Sequence, residues 1–122
     1  PRVALRGVVS QAGVLALADC AREGVGQTAA QDLMGGGPDD LPEEYRLADP
    51  MAAVPLGVPV VCLHSRADEA VPFRYSERYV AAATGAGGDA VLRETHGDHF
   101  TLIDPASPDW AAAVEALPGL LG

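Results

Sequence analysis

The chain has 122 residues, of which 48% are hydrophobic and 20% are charged. This length and composition suit one globular domain with its own core, and they exclude a disordered or collagen-like chain. The 17 acidic and 8 basic residues give a net charge of -9, which argues against nucleic acid as a partner because phosphate binding needs clustered basic residues. No apolar run approaches the roughly 20 residues of a membrane span, so no membrane-spanning helix is expected.

Three segments, taken in chain order, have the composition of strands that are buried on both faces. They are Val3 to Ser10, Val58 to His64 and Asp89 to Thr95, each rich in aliphatic residues and bounded by glycine or by polar residues. The long segment Leu15 to Leu56, between the first two, contains short helical pieces separated by glycine and proline. We interpret it as an enlarged crossover, a lid-like excursion that covers a site.

Two longer helices are predicted in the second half of the chain. One spans Pro72 to Thr84, where proline suits the first turn and apolar residues recur at helical spacing. The other begins after Ser107 as N-cap, carries Trp110, Val114 and Leu117 on one face, and is expected to stop at Pro118. Strand, helix, strand and helix in this order predict an α/β fold, a three-layer α/β/α arrangement with parallel strands.

The two cysteines and the amino terminus carry little functional signal. Cys20 and Cys62 are far apart and lack the spacing of a redox motif or a zinc site, so we interpret both as buried free thiols. The first residues lack the basic region, apolar core and cleavage site of a signal peptide. This slightly favours a cytoplasmic location, although a missing true start would leave the location open.

The candidate chemistry lies after two neighbouring strands. Asp68 comes four residues after the second predicted strand, and His99 comes four residues after the third. The carboxyl ends of parallel strands meet at one edge of a sheet, with about 4.8 Å between neighbours, so the two side chains are expected to meet. A carboxylate beside an imidazole orients the ring and stabilises it when it takes a proton from a hydroxyl nucleophile.

These residues also carry a family resemblance. The stretch LHSRADEAVP (Leu63 to Pro72), followed by GDHF (Gly97 to Phe100), resembles the carboxyl-terminal half of an α/β hydrolase, close to its esterase, lipase and dipeptidyl-peptidase-like members. The family pattern there reads H-G-x-x-D-x-x-V-P and then G-x-x-H-F or G-D-H-F. GVVSQAG (Gly7 to Gly13) resembles the sixth strand and its turn, so the likeness covers nearly the whole chain.

The resemblance implies a serine hydrolase that acts on small-molecule carboxylic esters, with peptide or amide bonds as the alternative. It implies that Asp68 is the triad acid and His99 the general base, that Val71 and Phe100 contact substrate, and that no cofactor or metal takes part. The chain order of the family is nucleophile, acid and then base, which places the nucleophile before Asp68.

The sequence departs from the family where the nucleophile belongs. No G-x-S-x-G occurs, Ser10 has Val8 where the first glycine should be, and Ser65 replaces a glycine after the second predicted strand. We therefore expect the nucleophile and the oxyanion hole to be absent from this chain, and we interpret Pro1 as a truncation point. The first strand would then lack a neighbour, so the missing amino-terminal half, or self-association, is expected at its edge.

Structural alternatives stay open for each residue. Asp68 could cap the next helix, and His99 could be an ordinary loop histidine. A metal site involving His96 is disfavoured because three or four converging ligands are needed. His64 is interpreted as a buried structural residue. A catalytically silent α/β-hydrolase fragment or interaction domain is the second hypothesis for function.

Overall fold

A computed structural model describes residues 3–122, so the interpretation of Pro1 lies outside the described residues. The strands are β1 (Val8–Gln11), β2 (Val60–Ser65) and β3 (Ala90–Thr95). The helices are α1 (Leu17–Glu23), α2 (Ala29–Met34), α3 (Pro42–Ala48), α4 (Arg74–Gly85) and α5 (Pro108–Leu121). Short 3-10 turns cover Pro50–Ala53 and Thr101–Ile103. Across residues 3–122, no helix is both long and apolar enough to cross a membrane.

The three strands form one parallel sheet in the order β1-β2-β3. Side chains of β2 alternate between the two faces, as the pleat of a strand requires. Val61 and Leu63 pack in one cluster with Ala113 and Ala116 of α5. Cys62 packs in another with two residues of α4, Tyr79 and Ala83. The helices therefore cover opposite faces of the sheet, and the predicted three-layer α/β fold is confirmed.

The first strand is shorter than predicted. We expected Val3 to Ser10, but β1 begins at Val8, which is the partner of Val60 at the start of β2. Before that point Val3 is 84% exposed and Leu5 is 69% exposed. A run of aliphatic residues forms a strand only where a neighbour supplies backbone partners, and β2 extends no further in that direction.

The last helix differs from the prediction in its end and in its buried face. Pro118 lies inside α5, which continues to Leu121, so the predicted stop at Pro118 was wrong. A proline leaves the carbonyl four residues earlier without its donor, here that of Val114, a residue 47% exposed and open to water. The buried residues of α5 are Asp109, Ala113 and Ala116, whereas Leu117 is 44% exposed.

The segment between β1 and β2 is packed onto the rest of the chain. The buried carboxylate of Asp49 accepts hydrogen bonds from Leu17 N at 2.8 Å and Ala18 N at 3.0 Å, which satisfies the start of α1. At the other end of α1, Glu23 binds Arg74 at 2.7 Å and Arg78 at 2.9 Å. The Glu23 ion pairs attach the segment to α4, whereas the Asp49 bonds lie within the segment. The role of the segment as a lid stays a prediction.

Candidate active site

Asp68 occupies a tight turn directly after β2. Its Oδ1 accepts hydrogen bonds from Ala70 N at 2.9 Å and from Val71 N at 2.8 Å. An aspartate that binds the backbone two residues further on forms an Asx turn, and this turn leads the chain into α4. The carboxylate is therefore fixed by its own backbone, and its second oxygen is left for another partner.

His99 lies in the loop between β3 and α5. Asp98 forms a second Asx turn there, with its Oδ1 accepting from Phe100 N at 2.8 Å and from Thr101 N at 3.1 Å. This turn follows the end of β3 at Thr95 and leads the chain into the 3-10 turn that begins at Thr101. The loop thus brings His99 back toward the end of β2.

The two side chains meet at the carboxyl edge of the sheet. His99 Nδ1 lies 2.7 Å from Asp68 Oδ2. Because an ionised carboxylate only accepts, Nδ1 carries the proton and Nε2 is left with a lone pair. The side chain of Asp68 is completely buried and that of His99 is 30% exposed, so the imidazole is reachable while the carboxylate is shielded from water.

Asp68 is held in its ionised form. Burial by itself raises the pKa of a carboxyl group, but the hydrogen bonds from Val71 N, His99 and Ala70 N outweigh burial and keep the pKa of Asp68 below its usual range. Asp68 is therefore a carboxylate at neutral pH, which is the form that orients an imidazole and stabilises its positive charge.

Asp109 anchors the His99 loop, a role that no sequence pattern predicted. From the first turn of α5 it accepts hydrogen bonds from Gly97 N at 3.0 Å and from Thr101 Oγ1 at 2.5 Å, on either side of His99. Burial raises the pKa of Asp109, but the hydrogen bonds from Thr101, His96 N and Gly97 N have the larger effect. The pKa of Asp109 therefore lies below its usual range. Its sequence signal, an aspartate in a first helical turn, is too common to indicate this role.

An open cleft of about 490 Å³ lies beside His99. Its wall is formed by the two loops, through Ala67, Glu69, Ala70, Asp98, His99 and Phe100. Phe100 is 67% exposed on this wall, so its ring is open to the cleft. Val71 takes a different position from the one expected, because it is buried and packs in the core cluster that contains Ala16 and Tyr75.

All four serines of the chain hold structural positions. Ser10 is buried in β1 opposite Cys62. Ser65 Oγ accepts from Ala67 N at 3.1 Å, Ser76 Oγ lies 2.7 Å from His64 Nδ1, and Ser107 caps α5 through Trp110 N at 3.0 Å. None of them lines the cleft beside His99.

Cys20 and Cys62 are buried free thiols, as interpreted. Burial raises the pKa of Cys62 to about 11, so this thiol is protonated and unreactive at neutral pH. In the stretch from residue 3 to residue 122, no group of three or more His, Cys, Asp or Glu side chains is arranged to hold a metal ion.

Several solved structures resemble this chain. The propionate-bound esterase 2 of the planctomycete Thermogutta terrifontis is 19% identical, with a TM-score of 0.67 over 95% of this chain and 42% of that chain. The same esterase phosphoramylated by tabun is 21% identical, with a TM-score of 0.68 over 95% of this chain and 40% of that one. Acylaminoacyl peptidase of Pyrococcus horikoshii is 19% identical, with a TM-score of 0.68 over 83% of this chain and 17% of that one.

These likenesses establish the fold and the extent of the match. The parallel sheet and its helices correspond to part of an α/β-hydrolase-like fold. The chain spans about two fifths of the length of the esterase 2 structures. No protein-family model and no curated protein matches the sequence.

Proposed function

We propose that this chain supplies the acid and the base of a serine hydrolase that cleaves carboxylic esters. The observation that carries the proposal is the hydrogen bond from His99 Nδ1 to the buried carboxylate of Asp68, at the carboxyl edge of a parallel sheet. The α/β-hydrolase-like fold supports the proposal. In α/β hydrolases the nucleophile comes first in the chain, the acid second and the base third, and Asp68 and His99 match the second and third positions of that order. The chain would then be the carboxyl-terminal half of the catalytic domain.

The mechanism follows from the tautomer of His99. Its Nε2 takes the proton from a serine hydroxyl as the serine oxygen attacks the ester carbonyl carbon, and the imidazolium is stabilised by Asp68. The tetrahedral intermediate loses the alcohol, which receives the proton from Nε2, and an acyl-enzyme is left. Water, deprotonated by Nε2 in turn, attacks the acyl-enzyme; the acid is released as the serine oxygen takes the proton back from Nε2.

The nucleophile in this proposal comes from another polypeptide segment. The four serines of the chain are held elsewhere, and the cleft wall beside His99 contains no hydroxyl among its side chains. The segment would also provide the backbone donors of an oxyanion hole. By themselves, the 122 residues are therefore expected to keep the fold but to be catalytically inactive.

A peptidase or amidase is the second candidate. Acylaminoacyl peptidase matches with a TM-score of 0.68, similar to that of the esterases, so the fold by itself favours neither leaving group. The same acid and base serve both reactions, since His99 would protonate an amine instead of an alcohol. Substrates that differ only in this leaving group distinguish the two.

The test uses the coding sequence upstream of this chain. We expect an in-frame G-x-S-x-G after a strand, within about 100 residues before Pro1. The extended protein should hydrolyse p-nitrophenyl butyrate and should react covalently with a fluorophosphonate probe at that serine. His99→Ala should lower kcat by roughly 10⁶-fold and Asp68→Ala by roughly 10⁴-fold. The isolated chain should show negligible turnover.

The matched control is His96→Ala, which removes an exposed imidazole three residues from His99 and should leave kcat unchanged. Full activity of the extended His99→Ala variant would contradict the assigned base. Turnover by the isolated chain that is lost on both His99→Ala and Ser10→Ala would contradict the expectation that the nucleophile lies elsewhere.

A further inference from the structure

His64 is a fully buried titratable side chain that the proposed proton transfer does not use. It lies near the end of β2 with 0% exposure, and both ring nitrogens have partners. Nδ1 lies 2.7 Å from Ser76 Oγ on α4, and Nε2 lies 2.8 Å from the carbonyl oxygen of Val71. A buried imidazole costs free energy unless both nitrogens are hydrogen-bonded, and this one satisfies that condition.

The partners of His64 determine its tautomer. The carbonyl oxygen of Val71 can only accept, so Nε2 must carry a proton and donate it. In the neutral ring Nδ1 then has a lone pair, to which the hydroxyl of Ser76 donates. Ser76 thus stabilises the one neutral tautomer that can bind Val71.

His64 contacts the Asp68 turn in two ways. Val71 donates its N–H to Asp68 Oδ1 at 2.8 Å, while its carbonyl accepts from His64, so the residue is held on both sides of the turn. In addition, His64 Nε2 lies 3.5 Å from Asp68 Oδ2, the oxygen that binds His99. That distance is long for a hydrogen bond, but the positive end of an N–H dipole stabilises a buried carboxylate at this range.

We propose that His64 is a positioning residue for Asp68, which, with its tautomer fixed by Ser76, holds the Asp68–Val71 turn so that the carboxylate faces His99. This role of His64 matters for catalysis only if Asp68 and His99 act as the proposed function has them, so the inference rests on the proposed function. Its geometry involves only this chain, and it can therefore be tested without substrate or nucleophile.

The experiment is NMR spectroscopy of the chain with labelled histidine and aspartate. The hydrogen-bonded Nδ1–H proton of His99 should give a downfield resonance, and the Asp68 carboxyl carbon reports its own titration. His64→Leu should abolish the resonance and raise the Asp68 pKa, because the turn that supplies the Val71 N–H donor loses its support from the imidazole. His64→Gln retains an N–H close to the position of Nε2 and should preserve both signals.

A second variant covers the case in which His64→Leu does not fold. Ser76→Ala removes a single oxygen, and its expected result is a shifted or broadened His99 Nδ1–H resonance. Its control is Thr84→Ala, which removes an exposed hydroxyl from the same helix and should leave the resonance unchanged. His96→Gln assigns the remaining imidazole signals.

Two outcomes separate this inference from the proposed function. If folded His64→Leu and Ser76→Ala chains keep the wild-type resonance and Asp68 titration, His64 only fills space and the inference is overturned, whatever the extended protein hydrolyses. If the resonance is lost as expected and the extended protein is inactive, the positioning role stands and the proposed function fails.

Discussion

Asp68 and His99 are 31 positions apart in the chain, yet Asp68 Oδ2 and His99 Nδ1 lie 2.7 Å from each other at the edge of the sheet. The other carboxylate oxygen is bound by two backbone N–H groups of its own turn, at 2.8 and 2.9 Å. One buried carboxylate therefore both shapes the exit from β2 and orients the imidazole, so its loss should affect stability as well as the proposed catalysis.

Asp68→Asn should destabilise the chain by about 1–3 kcal/mol, because the amide is neutral and weakens hydrogen bonds that a charged acceptor makes strong. Urea unfolding followed by circular dichroism measures the change. Glu69→Gln is the matched control, since it removes the charge of the next residue, which is exposed. Equal stability of Asp68→Asn and wild type would show that the turn does not depend on the carboxylate charge.

Gly97→Ala should displace the His99 loop. A Cβ at position 97 would overlap Thr101 Oγ1 and would lie 2.6 Å from Asp109 Oδ2, the groups that anchor the loop. Overpacking of this kind costs about 1–3 kcal/mol. Thermal unfolding measures it, and Gly85→Ala is the control, because that glycine ends α4 with no atom within 4 Å of an added Cβ. A Gly97→Ala chain as stable as wild type would contradict the tight packing.

Acid should weaken the fold in a defined range of pH. Hydrogen bonds from Tyr75, Arg78 and Arg74 lower the pKa of Glu23 from 4.5 to about 2, and the pKa values of Asp68 and Asp109 also lie below their usual range. A carboxyl group whose pKa is lower in the folded state contributes its stabilisation fully above the unfolded value, and the contribution falls as pH drops toward the folded value.

The carboxylate contribution to stability, measured by urea unfolding, should therefore decrease between about pH 4.5 and 2. Glu23→Gln should reduce the slope in that range. Because the Glu23 side chain is 30% exposed, added salt should screen its ion pairs and reduce their contribution to stability. A slope identical in Glu23→Gln and wild type would contradict the role of Glu23.

The free edge of β1 should promote self-association of the chain. Val8 N and Ala12 N donate to Pro59 O at 2.9 Å and to Leu63 O at 2.8 Å across the ladder with β2. The alternating pattern of a parallel ladder directs the N–H groups of Val9 and Gln11 to the opposite side. Beside that edge lies an apolar cleft of about 180 Å³, lined by Val9, Gln11, Trp110, Ala113, Val114 and Leu117.

Val114→Glu together with Leu117→Glu should shift the chain toward monomer in light scattering, because charges on the cleft oppose its burial. Leu33→Glu with Leu47→Glu is the matched control, since these leucines are 78% and 77% exposed elsewhere on the surface. A wild-type chain that is a well-dispersed monomer at all concentrations would contradict the prediction of self-association.

Much of the architecture was predictable because it depends on local composition. Aliphatic runs between glycines indicate strands, and helical spacing with proline and serine at the first turns indicates helices. All three strands and both long helices were therefore anticipated as elements, and β2, β3 and α4 were anticipated close to their observed bounds. The limits of β1 and α5 were not. They depend on whether β2 extends far enough to pair with residues 3–7, and on whether water can solvate the carbonyl that Pro118 leaves free.

The sequence by itself determined which residue types stand at the ends of neighbouring strands, and hence that Asp68 and His99 belong to one edge of the sheet, because parallel strands end together. Only the tertiary structure decided the contacts around that pair. Val71 faces the core instead of the cleft, Asp109 anchors the His99 loop from α5, and His64 binds the Asp68 turn. The packing of Val71 against Ala16 joins segments distant in the chain, whereas the bonds of Asp109 to Gly97 and of His64 to Val71 cross a single loop or turn. Each contact depends on how the loops fold against the helices and the sheet, and no local pattern of residues encodes that.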